Sequence, residues 1–129
     1  MQKNSEREEG FGAGSVVLVT LHSPRQKVVG RLLWLAPEGV ALRCVDLESL
    51  EDLARLLREG EPAAAATVFY PMHRVERMEL DEPSGALPSL AQDFAAKAGC
   101  PLEELLCAGQ VQAEGYKTTA KTMATEPQR

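Results

Sequence analysis

The stretch VVLVTLHSPRQKVVGRLLWLAPEGVALRCV, Val16 to Val45, decides how this chain is read. Two apolar runs are split by Ser23-Pro24-Arg25-Gln26-Lys27, and a third follows Ala36-Pro37-Glu38-Gly39. Apolar runs of this length bounded by proline and glycine signals read as strands, and the short turns between them make an antiparallel meander. A partner lies at Thr67 to Asp81, where Val68-Phe69-Tyr70 and Val75 to Leu80 flank Pro71-Met72-His73-Arg74. Together these segments predict a mainly β, α+β fold, a small, strongly bent five-stranded antiparallel barrel with appended helices.

The hairpin between Val28 and Val45 carries the sharpest register prediction. Pro37 presets φ for the first central position of a type I turn, and Gly39 suits the left-handed position that completes a three-residue loop with a G1 bulge. Ala36 then opposes Val40, Trp34 meets Leu42 and Leu32 meets Cys44 on one face, while Leu33 meets Arg43 and Leu35 meets Ala41 on the other. Both faces are largely apolar. A sheet wetted on one side alternates apolar with polar residues, so this one is expected to be covered twice, by barrel closure inside and by a helix or another subunit outside.

Ser49 before Glu51-Asp52, with Leu50, Leu53, Leu56 and Leu57 at helical spacing ahead of Gly60, predicts an inserted helix at about 49–59. It either packs its leucines on the barrel or docks a partner. Asp46, Glu48, Glu51 and Asp52 lack the spacing and turn glycine of a calcium loop, so they read as a solvated acidic face. Further on, Ser89 as N-cap with Gln92 at the capping-box position, then Pro101 leading Leu102, Leu105 and Leu106, predicts C-terminal helices at about 89–106. The last of these carries no base-reading Arg, Asn or Gln, which argues against helix-turn-helix DNA binding. The organised domain is expected over 15–107, between a flexible leader at 1–14 and a flexible tail at 108–129, neither of which has an apolar stripe to bury.

A chain of 129 residues suits one domain with one core. No run reaches the roughly 18–20 apolar residues of a membrane span, and the polar start Met1-Gln2-Lys3-Asn4-Ser5-Glu6 has no apolar stretch behind basic residues. The expectation is a cytoplasmic protein without membrane contact. Cys44, Cys100 and Cys107 form an odd set without zinc spacing and read as reduced thiols. The net charge of −5 argues against indiscriminate nucleic-acid binding, which depends on phosphates neutralised by Lys and Arg. Charge is nonetheless polarised: from Ser15 to Val45, Arg25, Lys27, Arg31 and Arg43 face only Glu38, whereas Asp46 to Ala66 is rich in carboxylates.

Catalytic signals are sparse. His22 and His73 each sit at a strand end and could meet, with or without Cys44, but no metal-ligand spacing or nucleophile with a spaced partner accompanies them. They read as hydrogen-bonded or solvent-facing residues, or as contacts on a shared rim. No enzyme activity, cofactor or metal is expected.

Lys27-Val28-Val29-Gly30-Arg31-Leu32 resembles the second strand of the Sm-like family, in which a glycine precedes alternating apolar residues in a sharply bent strand. Val68-Phe69-Tyr70-Pro71-Met72-His73-Arg74-Val75 is similar to the strand-four to strand-five passage of the bacterial, Hfq-like branch. The resemblance covers Ser15 to Asp81, interrupted by an insertion from Leu47 to Ala66. The chain departs from the family pattern at Ala36-Pro37-Glu38-Gly39, which lacks the Asp and Asn used near this point, and in having no Arg-Gly pair in the second motif.

What the resemblance implies is a non-catalytic, self-associating binding module that contacts single-stranded RNA or a protein. Tyr70, His73 and Arg74 would line the contact rim, joined by Arg25 and Lys27 from the first loop, with a base on Tyr70 and phosphates on Arg74 and Lys27. Val29, Leu33, Leu35 and Val45 are the expected self-association face. The alternative is a monomeric SH3-like protein-interaction domain, since many small barrels share this strand order.

Overall fold

The computed structural model describes residues 10–107 and 110–111. Strands β1 (Val16–Leu21), β2 (Gln26–Ala36) and β3 (Gly39–Asp46) run antiparallel in succession. A 3-10 turn (Leu47–Ser49) leads into helix α1 (Leu50–Arg58), the two-residue strand β4 (Ala63–Ala64) and β5 (Ala66–Pro71). A second 3-10 turn (Met72–Arg74) joins β5 to β6 (Val75–Leu80), and α2 (Leu90–Ala98), α3 (Leu102–Cys107) and β7 (Gln110–Val111) follow. The sheet order is β5-β3-β2-β1-β6, and β4 pairs separately with β7.

The expected barrel is not closed: among the described residues no ladder joins β5 to β6, the two edges of the sheet. Its inner face still buries Val17, Val19, Leu21, Val28, Leu32, Val40, Leu42 and Cys44 as one cluster, flanked by Val68, Tyr70, Val75, Met78 and Leu80. No helical residue belongs to that cluster, so the sheet covers this face by curving over itself. On the other face Val29 and Val45 lie under Leu50, Ala54 and Leu57 of α1, Phe94 and Ala98 of α2, and Leu102, Leu105 and Leu106 of α3. The sheet is thus covered twice, and over this part of the outer face the cover is helical. Val29 and Val45, expected at a self-association surface, are core residues, 0% and 8% exposed.

The hairpin register differs from the expected one by a residue at its tip. Ala36 pairs with Gly39, Leu35 with Val40 and Trp34 with Ala41, so the loop has two residues. Gly39 is absent from the positive-φ glycines. A Cβ there would strike the Tyr70 carbonyl and the Phe69 ring, so close packing is what requires glycine. An irregularity between Leu32 and Trp34 then shifts the pairing, and Leu32 meets Leu42. Because strand side chains alternate faces, that bulge leaves Leu32 inside and turns Trp34 outward.

The helix ends follow local chemistry. Ser89 and Gln92 form the expected capping box, and Gly99 closes α2 in the left-handed region at φ 84°. Ser49, expected to cap α1, is itself helical and makes no capping bond, because the 3-10 turn already supplies the helix start. One cap was not foreseen. The Asp81 carboxylate, just past β6, accepts from Leu90 N–H at 2.7 Å and Ala91 N–H at 2.9 Å, tying the sheet to the start of α2.

Part of the expected leader is held against the sheet: Gly14 N–H donates to the Leu32 carbonyl at 2.7 Å and Leu32 N–H to the Ser15 carbonyl at 2.8 Å. Gln110 and Val111, within the expected tail, pair with β4. Residues 1–9, 108–109 and 112–129, the remainder of the expected leader and tail, lie outside the described residues.

Replacing Asp81 removes two charge-assisted bonds to orphan helix donors, so Asp81→Ala is expected to lower stability by about 1–2 kcal/mol in urea unfolding. A change within about 0.3 kcal/mol would show that the cap carries no net stability.

Candidate functional site

The residues singled out as a contact rim occupy the end of β5 and the 3-10 turn that follows it. Backbone bonds hold this turn in place: His22 N–H donates to the Arg74 carbonyl at 2.9 Å, and Met72 N–H to the Glu38 carbonyl at 2.8 Å. Arg74 is half-buried; its guanidinium donates to Gln26 Oε1 at 3.2 Å and to the Pro24 carbonyl at 3.5 Å. It also lies 5.8 Å from the centroid of the Tyr70 ring, while its Nε is buried without a hydrogen-bond partner. Arg74 therefore clamps the first loop to the turn between β5 and β6, with Nη2 directed at protein oxygens.

The other rim residues are dispersed. Arg25 is exposed and pairs with Glu76 at 3.6 Å. Together with Lys27 it lines an open cleft of about 570 Å³ that also contains Asp46 and Glu48, so acidic groups face those cations. Tyr70 is half-buried and hydrogen-bonds with Cys44; burial pushes the Cys44 thiol up to about 11, only partly offset by that bond. Burial first, then Cys44 and Asp46, raises the Tyr70 hydroxyl as well. A thiol with so high a pKa is protonated at neutral pH and is neither a nucleophile nor a ready metal ligand.

The backbone bond between His22 and Arg74 brings the two histidine-bearing loops side by side, and both imidazoles are exposed. His22 Nδ1 lies 3.4 Å from Ser23 Oγ. Among the described residues no group of three or more His, Cys, Asp and Glu side chains gathers as a metal site would require. No described helix is long and apolar enough to cross a membrane.

The outer face of the sheet holds an arrangement that sequence reasoning missed. Trp34, Ala41 and Phe69 stand in register across β2, β3 and β5. The two rings are 5.5 Å apart at 35°, with Ala41 almost wholly buried and both aromatics about half exposed, 50% and 46%. The adjacent row on this face is Arg31, Arg43 and Thr67, where Arg43 Nη1 donates to Thr67 Oγ1 at 3.1 Å. Leu33 is half-buried, and Leu35 is 48% exposed on the inner-face side, opposite Val40. The shift in the hairpin hid the aromatic pair, because the expected register placed Trp34 on the same face as Leu32, opposite Leu42 instead of Ala41. Alternation along Val68-Phe69-Tyr70 was the available signal, since it forces Phe69 and Tyr70 to opposite faces.

Compared with known protein families, curated proteins and solved structures, the chain matches none.

The clamp geometry predicts that Arg74→Ala destabilises the fold by about 1–2 kcal/mol, through lost hydrogen bonds and ring contact. His73→Ala should stay within about 0.5 kcal/mol. Urea unfolding of both variants decides it; an Arg74→Ala protein as stable as the parent would free that arginine for ligand contact.

Proposed function

We propose that the chain is a non-enzymatic binding and scaffold module of the Sm-like or SH3-like small-barrel kind, which assembles with copies of itself through the edge of β5. The observation that carries this reading is the contrast between the two open edges. Strand β6 presents Glu76, Arg77 and Glu79, with Arg77 and Glu79 paired at 2.9 Å, a charged edge of the type that discourages strand addition. Strand β5, Ala66-Thr67-Val68-Phe69-Tyr70-Pro71, has no charged residue and only a terminal proline to guard it. An uncharged edge with an exposed aromatic invites pairing with another strand.

The strand order supports the small-barrel part of the reading. Sequential strands occupy neighbouring places in the sheet, and its two edges are consecutive in the chain, joined by one 3-10 turn. Pairing of the unguarded β5 edges of two copies would be isologous and closes as a two-fold dimer, whereas a head-to-tail ring would have to use the charged β6 edge. In this reading Leu33 and Leu35 remain candidates for the interface, and Val29 and Val45 serve the core. Free Cys44, Cys100 and Cys107 suit a reducing, cytoplasmic setting. The second reading, a monomeric SH3-like protein-interaction module, is favoured by the ion-paired edge of β6, which closes the head-to-tail route to a ring.

Light scattering downstream of a sizing column separates the two. Self-assembly predicts a mass above the monomer at tens of micromolar, reduced to the monomer by Ala66→Lys with Thr67→Lys at unchanged secondary structure. A wild-type monomer would remove the assembly reading and leave the SH3-like one.

A further inference from the structure

We infer that the pocket of about 310 Å³ where the end of β3, the start of α1 and the inner side of β5 meet binds a primary alkylammonium group. Asp46, Ser49 and Tyr70 receive the ammonium, and Leu53, Ala66 and Val68 receive its aliphatic stem. This goes beyond self-assembly and does not depend on it, since β5 lines the pocket with inner-face side chains while edge pairing runs in the plane of the sheet.

The oxygens come from three separate elements: Asp46 ends β3, Ser49 closes the 3-10 turn before α1, and Tyr70 belongs to β5. The Ser49 hydroxyl makes no capping bond to α1, so it is left for a ligand. Asp46 Oδ1 accepts from the neutral Gln26 amide at 3.0 Å, and among the described residues no ion pair reaches this carboxylate. The neighbouring cations are occupied or lie outside. Arg25 pairs with Glu76, Arg74 donates to Gln26 and Pro24, and Lys27 borders the adjoining cleft and not this pocket.

The charge of Asp46 is felt inside the pocket. It raises the Tyr70 hydroxyl by more than Arg74, 5.8 Å from the centroid of the same ring, lowers it, and it raises the Cys44 thiol as well. The potential at the phenol end is therefore negative, which favours a cation and repels a carboxylate.

The remaining lining selects the kind of cation. A bare metal ion requires oxygen all round and gains nothing from Leu53, Ala66 and Val68. A guanidinium binds best when both carboxylate oxygens are open to it, and Gln26 already holds one. An ammonium is compact, carries three independent N–H donors and trails a methylene stem, which matches oxygen acceptors set beside an apolar wall. A lysine side chain and a free amine share this chemistry.

The probe is n-butylamine, titrated as its ammonium salt into the full chain at neutral pH and constant ionic strength, up to tens of millimolar, with amide shifts followed by NMR. Saturable shifts are expected at 46–49 and 66–70. Ethylamine should bind more weakly, by up to about fourfold for each methylene lost, and 1-butanol, which has the stem without the charge, should give no saturable shift. Asp46→Asn keeps the shape and the acceptor for Gln26, and should weaken binding about fivefold. Tyr70→Phe should weaken it about threefold. Glu48→Gln, outside the pocket, should leave it unchanged. Circular dichroism of each variant separates lost binding from lost fold.

A capped Ala-Val-Lys-Val-Ala peptide distinguishes the sources. Tighter binding than butylamine, lost when the lysine is acetylated, assigns the pocket to protein lysines; equal or weaker binding assigns it to free amines. Absence of saturable shifts, an equal response to 1-butanol, or undiminished affinity in Asp46→Asn overturns the inference. So does an equal loss in Glu48→Gln, which would show attraction to the acidic surface at large.

Discussion

At Gly30 the backbones of β2 and β3 approach so closely that a Cβ would lie 2.5 Å from the Cys44 Cβ and 2.6 Å from the Arg43 carbonyl oxygen. Directly opposed Cβ atoms in a regular antiparallel pair are about 4.5–5.5 Å apart, so the ladder is strongly deformed at this point and only glycine is tolerated. That deformation lets an open five-stranded sheet bury its own inner face. Val28 and Leu32, on either side of Gly30, enter the same apolar cluster as Val17, Val19 and Leu42. Val29 and its partner Val45 are thereby turned to the opposite face, where three helices cover them.

A single hairpin thus supplies both cores, and what the cores leave uncovered sets what the molecule can bind. β2 has 11 residues and β1 only 6, so the ladder with β1 ends at Arg31 and, past the backbone bonds of Gly14 and Ser15 to Leu32, the far half of β2 pairs with β3 alone. The helices reach the outer face at Val29 and Val45, short of the hairpin tip. Beyond them lie the arginine row, the Trp34–Phe69 pair and the uncharged edge of β5. The opposite corner, where Arg74 joins the first loop to the turn between β5 and β6, is spent on holding the sheet ends together.

Much of this was legible in the sequence where one local rule dominated. The turn signals and apolar runs located the meander, Ser89 and Gln92 announced their capping box, and the two apolar faces of the hairpin announced cover on both sides. Three features were not legible, each because a tertiary contact outweighed the local signal. Gly39 suits a left-handed turn residue, yet Phe69 from a strand nearly 30 residues later claims its empty side. Asp81 looks like the end of a strand, and only the fold brings it to the first N–H groups of α2. Tyr70, His73 and Arg74 have the composition of a contact rim, but the acceptors of Gln26 and Pro24 engage the arginine first. The openness of the barrel belongs with these, since no residue pattern states whether two edges will meet.

Because the curvature at Gly30 underlies both cores, Gly30→Ala with equilibrium urea unfolding tests the account most directly. A single added methyl must displace the Cys44 Cβ and the Arg43 carbonyl, so stability should fall by about 3 kcal/mol, the upper end for overpacking a tight site. Stability within about 0.5 kcal/mol of the parent would show that the strands can separate there at no cost, and would contradict a fold built on this close approach.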